Sequence, residues 1–308
     1  MHLFPEKKHF AFSIFDDTDH STLSNTERVY GLLSEIGLRT TKSAWSLHAS
    51  DGKDHGSSLA DRPYLAFVRD LQSQGFEIGL HNVRSHPSTR EVTQKGIEVF
   101  RDLIGADPHT FSNHDNNREN IYWGALRLPT VPAQLAYRCA TAFIRRNYWE
   151  GHIEGSPFFW GDICRQYVRY VRNFAFDEIN LDKVNPSMPY HEPHKPFVNL
   201  WFSSSNGGEV ESFCRILSEK NKDRLEEEGG VCIVYTHFAY GFHENGGLHK
   251  RFEALIRRMA NKNGWFVPVG TLLDHLRKER NGDDSIDPNE LVTMGRRWLF
   301  ERLRSGTS

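Results

Sequence analysis

Short apolar runs alternate with amphipathic segments along this chain, and that alternation limits the fold more than any other feature. HFAFSIF (9–15), TKSAWSL (41–47) and FEIGL (76–80) have the length and the β-branched or aromatic content of strands. A segment with helix start and stop signals follows each run, such as the one from Pro63 to Gly75. Strand–helix units in series predict right-handed crossovers and a parallel sheet.

The same pattern recurs to the end of the chain. Further strands are predicted at HTFSN (109–113), RNFAF (172–176), FVNLWFS (197–203), GVCIVYTHF (230–238) and WFVPV (265–269). We therefore predict one α/β domain over 1–308, a somewhat irregular (β/α) barrel of seven or eight strands with long loops over its C-terminal mouth. Segments 115–160 and 185–196 are the least regular and are predicted to be loop insertions.

A C-terminal helix is predicted over 288–308, where Trp298 lies among several arginines. Such a helix could close the barrel or form a dimer face, so a homo-oligomer is one expectation. Docking on an anionic membrane is the alternative.

Composition and charge exclude several classes of protein. The chain is 38% hydrophobic and 25% charged, as soluble globular proteins are, and its formal net charge of −2 gives no reason to expect a nucleic-acid partner. No apolar run approaches the roughly 20 residues of a transmembrane helix. The first residues have no secretory signal pattern, and the four cysteines are widely spaced without a CxxC pair. We therefore expect a cytoplasmic location with reduced thiols.

Polar side chains follow three of the predicted strands at their carboxyl ends. Asp16 and Asp17 follow the first strand, His81 and His86 follow FEIGL, and His237 follows VCIVYT. The carboxyl ends of parallel barrel strands meet at one mouth, where catalytic groups of such barrels lie. Two histidines and a carboxylate with open positions form a common ligand set for a hydrolytic metal ion.

These stretches resemble the motifs of the polysaccharide deacetylase family, the NodB-homology family of carbohydrate esterases. SIFDDTD (13–19) is similar to the family's TFDDG motif, and QGFEIGLHNVRSHP (74–87) to its G-x-E-I-G-x-H-[ST]-x-x-H-P motif. IVYTHF (233–238) is similar to the last motif, a strand ending in L-x-x-H. The matches run in the family's order and span most of the chain.

The resemblance implies a metal-dependent hydrolase that removes an acetyl group from an N-acetylated sugar or glycan precursor in surface-glycan biosynthesis. It assigns Asp16 as general base, Asp17, His81 and His86 as ligands of one divalent ion, and His237 as general acid. Zn²⁺ is the expected ion, with Co²⁺, Ni²⁺ and Fe²⁺ as alternatives. The ion would polarise the acetamide carbonyl and lower the pKa of its water toward about 7.

Three departures from the family pattern are present. The two histidines are five residues apart rather than four, and Thr18 replaces a glycine. The family's R-x-P-[YF] motif, whose arginine orients the base, has no counterpart, because the chain at that point reads TFSNHDNN (110–117). We expect substrate contacts there instead, from Asn113, His114 and Asp115.

Several assignments stay open at the level of sequence. Trp160, Tyr240 and Phe242 could stack on a sugar ring or pack internally, and His114 could be a supplementary ligand or a structural hydrogen-bonding residue. His243 is an alternative general acid to His237. His191 and His194 could bind a second metal, although a proline-fixed surface loop is the simpler interpretation. Another metal-dependent amide hydrolysis, such as opening a cyclic amide or removing an N-formyl group, and an inactive sugar-binding barrel are the alternative functions.

Overall fold

A computed structural model describes residues 4–49, 52, 55–141, 149–244 and 246–305. Its main sheet is built from strands that lie close to the predicted ones. They are β1 (Phe10–Asp16), β2 (Thr41–Ala44), β3 (Glu77–His81), β4 (Thr110–Ser112), β5 (Tyr170–Phe176), β6 (Leu200–Asn206) and β7 (Gly230–Thr236). A short hairpin of β8 (His243–Glu244) and β9 (Gly247–Leu248) precedes β10 (Gly264–Phe266).

The seven strands β1 to β7 close into a parallel barrel. Neighbours pair in chain order, and β7 pairs back with β1 in a register that joins Phe10 to Gly230 and Asp16 to Thr236. The last strand, β10, lies outside this ring and pairs with the start of β1. The predicted (β/α) barrel is therefore confirmed, with seven strands in the ring and one beside it.

Helices surround the barrel and fill most of the intervals between strands. They are α1 (Leu23–Glu35), α2 (Arg62–Ser73), α3 (Arg90–Ile104), α4 (Val131–Thr141), α5 (Gly161–Tyr167), α6 (Val210–Ile216), α7 (Glu219–Glu228), α8 (Lys250–Ala260), α9 (Val269–Glu279) and α10 (Pro288–Ser305). The interval between β6 and β7 contains two helices, α6 and α7, which are separated at Leu217 and Ser218. Among the described residues, none of these helices combines the length and the apolar character that a membrane span requires.

The two faces of β1 have different environments because side chains alternate along a strand. Phe10, Phe12 and Ile14 pack outward in a cluster with residues of α1, α6 and α8. Phe15 belongs to the other cluster and lies 5.9 Å, between ring centroids, from Phe202 of β6 across the barrel. This alternation determines which face of the strand Asp16 and Asp17 occupy.

Segment 115–160, which was predicted to be a loop insertion, contains some helix. Segment 115–160 carries a 3₁₀ helix (Gly124–Arg127) and α4, and α4 packs against α10. Trp298 of α10 is fully buried, with its ring 5.2 Å from Phe174 and 5.7 Å from Tyr137. The C-terminal helix therefore covers the β5 side of the barrel.

Candidate active site

The carboxyl ends of the strands surround a cavity of about 300 Å³. Its wall is rich in titratable groups and aromatic rings. They include Asp17, Asp19, Asp115, His20, His55, His81, His114, His237, Arg127, Arg172, Arg302, Trp123, Tyr137, Tyr235 and Tyr240. The volume is at the lower end of small-molecule pockets, which span about 300–1,000 Å³.

Three imidazoles converge on the carboxylate of Asp19. The Nε2 atoms of His81 and His237 lie 3.3 and 3.0 Å from Asp19 Oδ2. His114 Nε2 lies 2.9 Å from Asp19 Oδ1. These residues come from the ends of β1, β3, β4 and β7, so closure of the barrel brings them together.

A separate hydrogen bond fixes the second ring nitrogen of each imidazole. His114 Nδ1 lies 3.0 Å from Asn117 Oδ1, and His237 Nδ1 lies 2.7 Å from the Gly208 carbonyl. His81 Nδ1 lies 2.7 Å from Ser112 Oγ.

The acceptors indicate the tautomers. An amide oxygen and a carbonyl can only accept, so His114 and His237 donate from Nδ1. Ser112 Oγ donates its own hydrogen to Asp17 Oδ1 at 2.6 Å, and therefore accepts from His81. All three neutral rings then present an Nε2 lone pair to the cavity, as metal-ligating histidines do.

Charge and burial have opposite effects on the pKa values of the groups in this cluster. Burial raises the pKa of Asp19, but His81 and the hydrogen bonds from His114 and His237 outweigh burial and hold it well below its usual value of 3.8. Burial lowers the pKa of His114 and of His237, and hydrogen bonding to Asp19 raises both above 6.5 overall. Without an ion, these contacts therefore favour an ionised Asp19 and the protonated forms of His114 and His237.

The donor set fits a divalent transition metal ion. Ligand atoms of Asp19, His81 and His114 all lie within 4.8 Å of one another, and among the described residues no other trio of such side chains does so. Two imidazole nitrogens and one carboxylate oxygen suit zinc and neighbouring ions. The potential metal site thus includes His81 from the predicted ligands, His114, which was open as a supplementary ligand, and Asp19, which had no predicted role.

Asp17 lies beside this cluster and faces the barrel axis. Arg172 Nη2 donates to Asp17 Oδ2 at 2.6 Å, and His81 Nδ1 is 3.6 Å from Asp17 Oδ1. Burial raises the pKa of Asp17, but the Arg172 guanidinium and neighbouring imidazoles lower it overall. Asp17 is therefore ionised at neutral pH and is oriented by an arginine.

Asp16 points in the opposite direction, into the layer between barrel and helices. Its Oδ2 atom accepts from Lys42 Nζ at 3.0 Å and from the Tyr30 hydroxyl at 2.8 Å. Its Oδ1 atom accepts from the backbone N–H of Phe238 at 2.8 Å. Asp16 is buried and does not line the cavity, because it shares the outward face of β1 with Phe12 and Ile14.

His86 lies outside the cluster. Its Nδ1 atom is 2.9 Å from Ser85 Oγ, and its ring packs 5.2 Å from His55. The structure therefore brings His81 and Asp17 together without His86.

The predicted substrate contacts divide into two groups. Asn113, His114, Asp115 and Tyr240 line the cavity, and Tyr240 packs 4.6 Å from the His237 ring. Trp160 is 1% exposed, packs edge-on against Phe111 and donates its indole N–H to the Glu119 carbonyl, so it belongs to the core.

The other histidines considered from the sequence, His191, His194 and His243, lie away from the cluster. His243 lies in β8 outside the cavity lining, which leaves His237 as the cavity-facing member of the two candidate acids. His191 is 3.0 Å from the Asn199 carbonyl near the amino end of β6, and His194 is exposed.

Sequence reasoning assigned no role to Asp19 or Arg172. Asp19 stands within the motif SIFDDTD, two residues after Asp17. That spacing was the feature of the sequence that could have indicated a role for Asp19 beside Asp17. Arg172 lies in β5, far along the chain from Asp17, and its partner is visible only when the barrel is closed.

Comparison with known proteins supports the fold. No family model matches the sequence, and no curated protein matches it. Among solved structures, a Mycobacterium smegmatis protein assigned as a polysaccharide deacetylase matches with a TM-score of 0.54 at 12% identity, over 92% of this chain and 96% of that one. The Puue allantoinase matches with a TM-score of 0.52 at 12% identity, over 90% and 93% of the two chains. The resemblance to polysaccharide deacetylases is therefore confirmed at the level of the fold.

Proposed function

We propose that this protein is a metal-dependent hydrolase that removes an acetyl group from an N-acetylated sugar. The supporting observation is the convergence of three Nε2 atoms on Asp19 at the mouth of a deacetylase-like barrel. Asp19, His81 and His114 would hold the ion. A bound divalent ion supplies Lewis-acid polarisation of the acyl carbonyl and acidifies water.

Asp17 is the general base in this proposal, in place of Asp16. It lines the cavity and is kept ionised by Arg172, so its carboxylate can take a proton from the attacking water. Arg172 thereby does what the family's missing R-x-P-[YF] arginine is expected to do. Asp16 lies behind the barrel wall, where it cannot reach a substrate.

His237 is the general acid. Its Nδ1–H is fixed on the Gly208 carbonyl, so Nε2 is the atom that delivers a proton to the leaving amine. Burial lowers the pKa of His237, but hydrogen bonding to Asp19 raises it overall, which favours the protonated form that a general acid needs. Tyr240 packs against the ring and limits its rotation.

We favour zinc as the ion and a glycan precursor in the cytoplasm as the substrate. The nitrogen-rich donor set supports zinc, with cobalt, nickel or iron as substitutes. All four cysteines are free thiols, as is usual in a reducing compartment. Allantoin is a second candidate substrate, because one structure with this fold is an allantoinase.

Release of acetate from N-acetylated sugars by zinc-loaded protein tests the proposal. We expect Asp17→Asn to lower kcat by about 10²–10⁴-fold while zinc stays bound. Asp102→Asn, an exposed carboxylate on α3, is the matched control and should leave kcat unchanged. A rate for Asp17→Asn within about threefold of the parent would contradict its role as general base. Turnover of allantoin without acetate release would favour the second substrate.

A further inference from the structure

A buried arginine lies in the cavity wall. Arg127 ends the 3₁₀ helix Gly124–Arg127 and is 4% exposed. Its guanidinium lies between two indole rings, 4.2 Å from Trp123 and 4.4 Å from Trp298, and Nη2 donates to the Asn173 carbonyl. These contacts orient the group without neutralising its charge.

Burial lowers the pKa of Arg127 to about 9, so the side chain is still cationic at neutral pH. Arg302 and Arg172 repel it and contribute to that lowering. Three guanidinium groups therefore line one small cavity, and their mutual repulsion favours the entry of an anion.

The carboxylates that line the cavity do not leave an excess of negative charge. Asp17 accepts from Arg172, Asp19 faces the imidazoles, and Asp115 accepts from the Trp123 indole at 3.2 Å. Among the described residues, three aspartates and three arginines line the cavity, and protonated imidazoles or a divalent ion on Asp19 would add positive charge.

We propose that the substrate carries an anionic group, a phosphate or a carboxylate, and that Arg127 and Arg302 bind it. This inference rests on the proposed function, since it adds a second recognition point to the same cavity. The imidazoles and Asp19 lie at or just after the carboxyl ends of barrel strands, whereas Arg127 lies in segment 115–160 and Arg302 in α10. The acyl group would meet the barrel cluster, and the anion would meet the added wall. Guanidinium groups suit both anions because they donate two parallel hydrogen bonds.

Calorimetric binding of matched sugars to EDTA-treated protein at pH 8 tests this site without turnover. The probes are N-acetylglucosamine, N-acetylglucosamine 1-phosphate, N-acetylglucosamine 6-phosphate and N-acetylmuramic acid. We expect at least one anionic sugar to bind about tenfold or more tightly than the neutral one, since a hydrogen bond to a charged group contributes that much. The best anion identifies phosphate or carboxylate as the recognised group.

Arg302→Gln should reduce the anion preference to within about twofold and leave neutral-sugar binding unchanged. Arg304→Gln, on the same helix but exposed and outside the cavity lining, is the control. Arg127→Gln should likewise reduce the preference for anionic over neutral sugars. If it does not fold, the Arg302 variant still decides, because Arg302 is only half-buried.

Equal binding of neutral and anionic sugars, or a preference that survives Arg302→Gln, would overturn the inference. Anion preference without acetate release would overturn the proposed reaction and leave the anion site in place. The two failures are therefore distinguishable.

Discussion

Lys42 Nζ lies 3.0 Å from Asp16 Oδ2, and neither side chain has any exposed surface. Burial lowers the pKa of Lys42, but the Asp16 carboxylate reverses that effect and the net pKa is raised. Tyr30 and the Phe238 N–H bind the same carboxylate. Asp16 is therefore part of a buried ion pair that joins β1 to β2 and α1.

Removing Lys42 should destabilise the protein strongly. Lys42→Met leaves Asp16 buried without its cation, which typically costs about 3–5 kcal/mol of unfolding free energy. The double variant Lys42→Met/Asp16→Asn removes both charges and should recover much of that loss. Urea unfolding monitored by circular dichroism measures the unfolding free energy of the single and the double variant. Equal stability of the single variant and the parent would show that the pair has no structural role.

Two histidine variants can distinguish the candidate metal ligands Asp19, His81 and His114 from the ligand set predicted from the sequence. His114→Ala should weaken zinc binding at least about 100-fold, because it removes one of three protein ligands. His86→Ala should change zinc affinity less than threefold, since its ring packs on His55 outside the cluster. Isothermal titration calorimetry on both variants measures this, with cobalt absorption spectra as an independent readout of ligand number. The reverse order of effects would restore His86 as a ligand.

Zinc affinity should rise with pH across the neutral range. Burial lowers the pKa of His114 and the hydrogen bond to Asp19 raises it more, so the metal-free ring keeps its proton above pH 6.5. A protonated imidazole cannot bind zinc, and each pH unit below the folded-state pKa should reduce affinity by up to about tenfold. Titrations at pH 6, 7 and 8 in buffers of different ionisation enthalpy would also detect the released protons.

The same titration has an opposite effect on stability without metal. Because the folded-state pKa of His114 is raised, its contribution is complete below pH 6.5 and is lost as pH rises through the folded-state value. In EDTA, the parent should therefore lose more unfolding free energy than His114→Gln between pH 6 and 9. Parallel curves for the two proteins would contradict the hydrogen bond to Asp19.

Glu119 should act as a positioning residue for His114. It is buried, and its carboxylate accepts from Asn117 Nδ2 at 2.7 Å and from Asn82 Nδ2 at 3.1 Å. Asn117 in turn orients His114, and Asn82 binds the His114 backbone N–H. We expect Glu119→Ala to weaken zinc binding about 10–100-fold, as loss of such outer partners does.

The control for this variant is Glu98→Ala, an exposed carboxylate on α3. The cobalt spectrum of Glu119→Ala separates the positioning role from general destabilisation, because a misdirected His114 changes the coordination bands while a correctly folded site does not. Unchanged affinity and spectrum in a folded variant would rule out the positioning role.

The barrel was predictable because each strand is a short apolar run with a helix after it, as in FEIGL before His81. Side-chain alternation along β1 also carries information that the motif comparison did not use. Phe10, Phe12 and Ile14 face the helices, so Asp16 has the outward parity and Asp17 the inward one. The family motif gives the order of the aspartates, whereas alternation gives their direction.

Other parts of the site depend on contacts between distant segments. In the sequence, Arg172 is a single polar residue within a predicted strand. Its position beside Asp17 follows only from closure of the barrel. His114 stands in a loop whose shape is set by Glu119, Asn117 and Asn82, and no local pattern specifies that network. From the sequence, Trp160 was a candidate for stacking on a sugar ring. Its burial is a property of the packed fold and is not visible in the sequence.

The position of α10 has a consequence for biosynthesis. The cavity takes Asp17 from near the start of the chain and Arg302 from the final helix. The imidazole cluster is formed by Asp19, His81, His114 and His237, all of which precede α10 in the chain. A nascent chain or a fragment ending before Pro288 would lack both Arg302 and the Trp298 ring that supports Arg127. If Arg302 binds the anion as proposed, ligand selectivity depends on a helix that is synthesised after every residue of the imidazole cluster.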